Sequence, residues 1–491
     1  MSVDPPATAS APSDGEEEVR ADWGGGQGAV ATLLDRARGA QAAYAAAIAG
    51  AGQRRIDEAV TALAWSLYKP ENARRLAEIA VAVTGLGDVD SKIIKNQRKT
   101  FGTLRDLLAV ASTGAIETIP EKGIVKYAKP VGVVGALTPS TNPSATPVNN
   151  AMMAVKGGNA IIIAPPPGAW AATAPVVAAM RQELARIGLP ADLVQLLPRP
   201  VTRAATARLM ELVDLVVATG SQANVRAAYR CGKPALGVGL GNAPVIIDSS
   251  ADLADAAKKI ALSKTFDRAT SCSSENALVI LDDVYAPALA ALEREGGYLA
   301  NADERTRIVA RLWQDGKLNR ELIARDCALL AEAFALAPRA RERAFIMVEE
   351  RGIGKDFPLS GEKLSLVLTL YRAESFAAAK RLVRDILAYQ GRGHSCGIHT
   401  GDIDHARELA SDSDVVRVLV NQAHAFGNGG SFDNGLPFTL SMGCGTWQGN
   451  SLSENLNWRC FVNITHLVTT IAEDKPSEEA LFGAYWAKYG R

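Results

Sequence analysis

The sequence predicts an α/β protein built from two tandem units, each a parallel sheet covered by helices, with a small hairpin and tail besides. Three observations carry that prediction. Short runs that are apolar throughout alternate with helical stretches, as strands do when both faces of a parallel sheet are buried. The alternation occurs before Pro244 and resumes after it. At 491 residues the chain is also too long for one core.

In chain order, residues 1–27 combine Pro, Ser, an acidic run and GGGQG. They hold little to bury and predict a disordered acidic tail. From Ala29 to about Leu108 the texture is helical, with a break and restart at Pro70. GIVKYAKP (123–130) alternates and suits an exposed hairpin. VGVVGAL (131–137), NAIIIA (159–164), LVQLL (193–197) and DLVVAT (214–219) read as strands of the first unit. The helix from Ala169 should stop at Gly188 and Pro190, a C-terminal Gly followed by Pro. VIID (245–248), NALVIL (276–281), LSLVLTLY (364–371) and DVVRVLVN (414–421) supply the second unit. Near the end, FVNITHLVTTI would pair within its own unit or between subunits, because an exposed edge strand seeks a partner.

Composition excludes several classes. Hydrophobic residues are 48% and charged residues 22%, as in an ordinary soluble protein. Basic and acidic residues balance at 53 each, so no overall field draws the chain to nucleic acid or an anionic membrane. No apolar run is long enough to span a bilayer, and MSVDPPATAS lacks the basic and apolar regions of a secretory signal. The six cysteines, at 231, 272, 327, 396, 444 and 460, show no zinc spacing and are too sparse for a disulfide framework. A reducing cytoplasm and no metal site are expected.

One cysteine stands apart. In SKTFDRATSCSSENALVIL (263–281), Cys272 sits among Ser271, Ser273 and Ser274 just before a strand. A structural cysteine is usually buried among apolar neighbours, whereas a polar turn at the mouth of a sheet leaves a thiolate reachable and near backbone N–H groups. Upstream, the Pro-bounded turn TPSTNPSATP places Asn142 where its amide can donate to a developing oxyanion, or where it merely caps the turn before Pro143.

Seven motifs now lie in order: TPSTNPSATP, KGGNAIII, ATGSQANVRAAY, GKPALGVGLGNAPVIID, SKTFD with SCSSENALVI, GEKLS, and SMGCGTWQGNS. Together, over roughly residues 30–465, they resemble the CoA-acylating branch of the aldehyde dehydrogenase superfamily. The resemblance implies Cys272 as nucleophile and Asn142 with the Cys272 backbone N–H as oxyanion hole. It also implies Thr138, Pro139, Thr219, Gly220, Ser221 and Gly239 along the dinucleotide, the middle three at a helix N-terminus that favours phosphate. Glu362 would bind the nicotinamide ribose; without the resemblance it would read as paired with Lys363 or solvated. His394 in GRGHSC would deprotonate CoA, or be structural, as most histidines are. The implied division is a dinucleotide-binding unit over 28–246, a catalytic unit over 247–440, and a segment 441–491 that returns to the first unit and ends as an oligomerisation tail.

Hydrolytic relatives carry a Glu in E-L-G-G-K-S-P. Here the stretch is VGLGNAP, with Val238 in the place of that Glu, and Val cannot accept a proton from water. The acyl group on Cys272 then awaits a thiol, which points to coenzyme A. GVGLGN (237–242) lacks the spacing of a dinucleotide fingerprint and reads as a close-packed turn below the nucleophile. After NAIIIA comes PPPGA, which leaves NAD or NADP open, with NAD favoured by resemblance. ATSCSSENALVI and SGEKLSLVL look most like sulfoacetaldehyde dehydrogenases. Arg268 is the candidate cation for a sulfonate, or an Arg paired with Asp267 or exposed. Acetaldehyde or another short aldehyde, a hydrolytic or acyl-phosphate-forming dehydrogenase, and a non-enzymatic scaffold are the alternatives. A homodimer or homotetramer is expected.

Overall fold

A computed structural model describes residues 27–491; the acidic tail, but for Gln27, lies outside the described residues. The chain opens with four helices, α1 (Gln27–Ala51), α2 (Gln53–Tyr68), α3 (Pro70–Thr84) and α4 (Val89–Leu108). The break at Pro70 is where the sequence placed it. Lys69 is extended at φ −57°, ψ 135° and ends α2, while Pro70 opens α3, where a missing N–H costs nothing. Asp88 caps α4 by accepting from the backbone N–H of Ser91 at 2.8 Å.

An outlying ribbon follows, β1 (Gly114–Ile119) and β2 (Ile124–Pro130). Then come β3 (Val133–Leu137), β4 (Ala160–Ala164), β5 (Val194–Leu196), β6 (Leu215–Ala218) and β7 (Ala235–Gly237). These five form an all-parallel sheet in the order β5-β4-β3-β6-β7. Its buried strands share one core with α1, α2 and the helices Ala145–Lys156 and Trp170–Arg186.

The second sheet collects β8 (Ala243–Ile247), β9 (Glu275–Leu281), β10 (Gly297–Leu299), β13 (Phe345–Glu349), β14 (Val367–Ala373), β15 (Gly393–His399) and β16 (Val415–Val420). Their order is β10-β13-β14-β9-β8-β15-β16, again parallel. Separate clusters pack on its two faces. A short ribbon, β11 (Trp313–Gln314) and β12 (Lys317–Leu318), lies apart. The chain then returns: Leu452, Leu456, Trp458 and Phe461 enter the first core. Strand β17 (Val462–Val468) pairs antiparallel with β2 of the same chain.

The topology decides where the site lies. In the five-stranded sheet the strand order reverses between β3 and β6, so their carboxyl ends flank the crevice where such sheets bind ligands. Only residues 238–242 separate the end of β7 from the start of β8. The carboxyl edge of the first sheet therefore faces the amino edge of the second.

Candidate active site

Each loop of the site leaves one of these facing edges. Cys272 stands in the turn just before β9 and is half-buried. The far side of that turn is clamped: the Ser273 carbonyl meets His424 Nδ1 at 2.8 Å, and the Ser273 hydroxyl accepts from Asn428 Nδ2 at 2.8 Å. The backbone N–H of Cys272 makes no hydrogen bond among the described residues. Burial pushes the thiol up to about 12, with Glu362 and Cys444 adding to the rise and Ser273 and Arg417 opposing it.

The turn below is as close as GVGLGN predicted. A Cβ on Gly241 would stand 2.2 Å from the Cys272 carbonyl oxygen, and one on Gly239 would stand 2.7 Å from Cys444 Sγ. Gln448 laces the turn by accepting from Leu240 N at 2.8 Å and donating to Leu240 O at 2.9 Å. No carboxylate stands in residues 238–242, and Val238 is buried.

Asn142 lies in the loop after β3. Its Oδ1 accepts from Lys95 Nζ at 2.8 Å, and Lys92 Nζ donates to the neighbouring Thr141 carbonyl at 3.1 Å. Both ammonium groups converge on buried Asp267, at 2.5 Å from Lys95 and 3.0 Å from Lys92. Asp267 also accepts from Thr270 Oγ1 at 2.7 Å and from Asp88 N at 3.1 Å. These contacts hold a strained backbone, since Asp267, Arg268 and Ala269 are left-handed at φ 50°, 51° and 58°. Such conformations cost non-glycine residues on the order of 1–3 kcal/mol each and persist where surroundings over-determine them. Sequence reasoning missed Lys92, Lys95 and Asp267. The available signal was a Lys pair at i, i+3 on one helix face, with an Asp inside SKTFD.

Five of the six residues expected along a dinucleotide gather at the switch point, and the sixth, Gly239, packs against Cys444 in the turn after β7. Thr138 and Pro139 follow β3, and Thr219, Gly220 and Ser221 follow β6. Thr138 Oγ1 is buried without a partner. Thr219 Oγ1 meets Ser441 Oγ at 2.7 Å, and Gly220 adopts φ 145°, a value side chains resist. Ser221 caps the helix Gln222–Arg230. The set fits a dinucleotide, with free N–H groups and a hydroxyl at a helix start. Glu362, on the loop before β14, is half-buried; burial raises its carboxyl to about 8 against the pull of Lys363 and Lys264.

Two further candidates have surroundings of their own. Arg268 does not pair with Asp267. Asp267 is already saturated by two lysines, and the Arg268 guanidinium lies 3.6 Å from Asp326 Oδ2 instead. The second candidate is His394. It is buried in β15, its Nδ1 meets Ser395 Oγ at 2.8 Å, and burial holds it well below the usual imidazole value, with Arg417 and His424 lowering it further. Its Nε2 has no partner.

Arg417, also unanticipated, is buried on β16 with no carboxylate within salt-bridge distance among the described residues. It donates to Asn455 Oδ1 at 2.9 Å and to the carbonyls of His394 at 2.7 Å and Gly443 at 2.8 Å. Its charge acts on the thiols of Cys444 and Cys272 and on the imidazoles of His394 and His424. Its signal was the one cation inside DVVRVLVN. No group of His, Cys, Asp and Glu suited to a metal occurs among the described residues.

Comparison with known proteins agrees with this geometry. The model of the aldehyde dehydrogenase family matches residues 11–303, well over half the chain. The chain belongs to the aldehyde dehydrogenase family. It is similar to a sulfoacetaldehyde dehydrogenase (acylating) of Cupriavidus necator, 53% identical over 94% of this chain and 93% of that one. A second protein of that name, from Bilophila wadsworthia, is 42% identical over 89% and 95%. Among solved structures, an acetylating aldehyde dehydrogenase from Geobacillus thermoglucosidasius superposes with a TM-score of 0.87. Its identity is 33%, covering 92% of this chain and 98% of that one.

Proposed function

We propose that this aldehyde dehydrogenase oxidises sulfoacetaldehyde and passes the acyl group to coenzyme A, with NAD or NADP as hydride acceptor. The observation that carries the reading is the Cys272 turn. Lys95 links the segment leading to it with the Asn142 loop, and the residues packed beneath it, 238–242, hold no base for water.

In this reading the Cys272 sulfur, once deprotonated, adds to the aldehyde carbon to give a thiohemiacetal. The oxyanion receives hydrogen bonds from Asn142 Nδ2 and the Cys272 N–H. A bound nicotinamide would supply the acceptor for the hydride that this carbon loses. Collapse leaves a thioester on Cys272, and a thiol of coenzyme A exchanges onto the acyl carbon and returns the sulfur. Thr138, Pro139, Thr219, Gly220, Ser221 and Gly239 would line the dinucleotide, and Glu362 would hold the ribose. His394, whose Nε2 has no partner, is the candidate base for the coenzyme A thiol, and Arg268 the candidate cation for the sulfonate.

An anionic substrate suits the charge at the site. Lys92 and Lys95 share the single carboxylate of Asp267, so one positive charge remains beside Asn142. The similarity to sulfoacetaldehyde dehydrogenases supports the same substrate.

The protein works in the cytoplasm as a homodimer or homotetramer. Exposed Leu467 and Val468 on β17, with Phe482 and Tyr485 on the helix Glu478–Tyr489, would be covered by a second copy. Light scattering that returned a monomer's mass would refute the assembly. Among the described residues no helix is long and apolar enough to cross a membrane.

The test of function is NADH or NADPH formation with sulfoacetaldehyde, acetaldehyde and propionaldehyde, with and without coenzyme A. Turnover should require coenzyme A, favour sulfoacetaldehyde and vanish in Cys272→Ala. Full-speed formation of the free acid without coenzyme A would overturn the acylating reading. Equal kcat/KM for the three aldehydes would overturn the substrate.

A further inference from the structure

We infer that Lys95 is a positioning residue for the oxyanion hole: its ammonium fixes which end of the Asn142 amide faces the reacting carbonyl. The inference rests on the proposed role of Asn142 and names the group that makes it possible.

An amide side chain has an acceptor end and a donor end, and only the donor end stabilises an oxyanion. Rotation by a half-turn exchanges them, so an unrestrained Asn in a turn would present the wrong end part of the time. Lys95 removes that freedom. Its Nζ lies 2.8 Å from Asn142 Oδ1, and an ammonium has donors alone, so the flipped amide would set N–H against N–H. Asn142 Nδ2 makes no hydrogen bond among the described residues and is left to face substrate.

The ammonium is itself over-determined. Its three donors go to Asn142 Oδ1, to Asp267 Oδ2 at 2.5 Å and to Thr270 Oγ1 at 3.3 Å. Thr270 donates in turn to Asp267. Asp267 and Thr270 belong to the strained loop that ends, two residues later, at Cys272. The other lysine, Lys92, ties the Thr141 carbonyl to the same carboxylate. One buried carboxylate thus links the loop that carries the oxyanion donor to the loop that carries the nucleophile. Lys95 is the member that touches the donor residue itself.

The experiment is a double-mutant cycle on Lys95→Met and Asn142→Ala in the full-length enzyme. It reads kcat, KM and the single-turnover burst with the preferred aldehyde. Asn142→Ala should lower kcat about 10²–10³-fold, as loss of an oxyanion donor does. Lys95→Met should lower kcat about 10–100-fold, with aldehyde KM within about threefold. Added to Asn142→Ala it should cost less than about twofold more, because residues acting as a unit are not additive. Lys95→Gln, which keeps a donor, should recover part of the rate. Should Lys95→Met unfold, the Lys95→Met/Asp267→Asn pair, which removes both charges, carries the same cycle. Multiplicative losses in the double variant, or full kcat in Lys95→Met, would overturn the inference. Full kcat in Asn142→Ala would instead overturn the oxyanion role on which it rests.

Discussion

Gly241 lies against Cys272 so closely that a Cβ added to it would stand 2.2 Å from the Cys272 carbonyl oxygen and 2.7 Å from its Cβ. The nearer obstacle is backbone, so no side-chain rotation relieves the clash. Either the 238–242 turn or the nucleophile turn must shift. The Ser273 end of the nucleophile turn is clamped by His424 and Asn428, so the displacement falls on the sulfur. Gly241→Ala should therefore reduce kcat on the order of 10²-fold, the usual cost of misplacing a reacting group by about 1 Å. The check is the burst of NADH or NADPH in a single turnover, set beside dinucleotide binding, which should survive.

Val238 offers the converse test. It sits in the same turn and is buried, in the place of the general base of hydrolytic relatives. Val238→Glu should create a slow, coenzyme A-independent release of free acid that the parent lacks. A positioned base contributes about 10²–10⁴-fold when well placed. Burying a carboxyl there should also cost about 1–3 kcal/mol of stability. Product analysis without coenzyme A decides the matter. A variant that folds, binds dinucleotide and makes no acid would show that the absent carboxylate is not what blocks hydrolysis.

Much of this was legible in the sequence because the strands announce themselves by composition. NAIIIA, DLVVAT and NALVIL are apolar because both faces of each strand are covered, and each lies within a residue or two of its expected bounds. Strand β15 was not legible. GHSCGIH has no apolar run, yet all seven residues are buried, because β8 and β16 flank it and Arg417 takes up the His394 carbonyl. The Lys95–Asp267 pair failed for a related reason, because its members lie 172 positions apart and no local pattern joins them. Cys272 and Asn142 stood out in the sequence through the company of other motifs.

Lys99 predicts a pH dependence of stability. It lies one turn beyond Lys95, buried, with Nζ donating to the carbonyls of Gly429 at 2.8 Å and Gly430 at 3.2 Å. Burial lowers it to about 7, and Arg98 and Lys95 add to the fall. The ordinary lysine value in an unfolded chain is about 10.4. The folded value is thus depressed, and between pH 7 and pH 10 the unfolded chain binds more protons than the native one. Stability from this group is present above the unfolded value and is lost as pH falls toward 7. The slope approaches about 1 kcal/mol per pH unit. Other buried groups titrate in the same range, Lys264 among them at about 7, so the useful quantity is a difference. The stability of the parent relative to Lys99→Met should rise with pH between 7 and 9 by about 1 kcal/mol per unit. Urea unfolding of both proteins at pH 7, 8 and 9 measures it. A difference that stays flat would mean that the ammonium keeps its proton inside the fold, its charge borne by the two carbonyls alone.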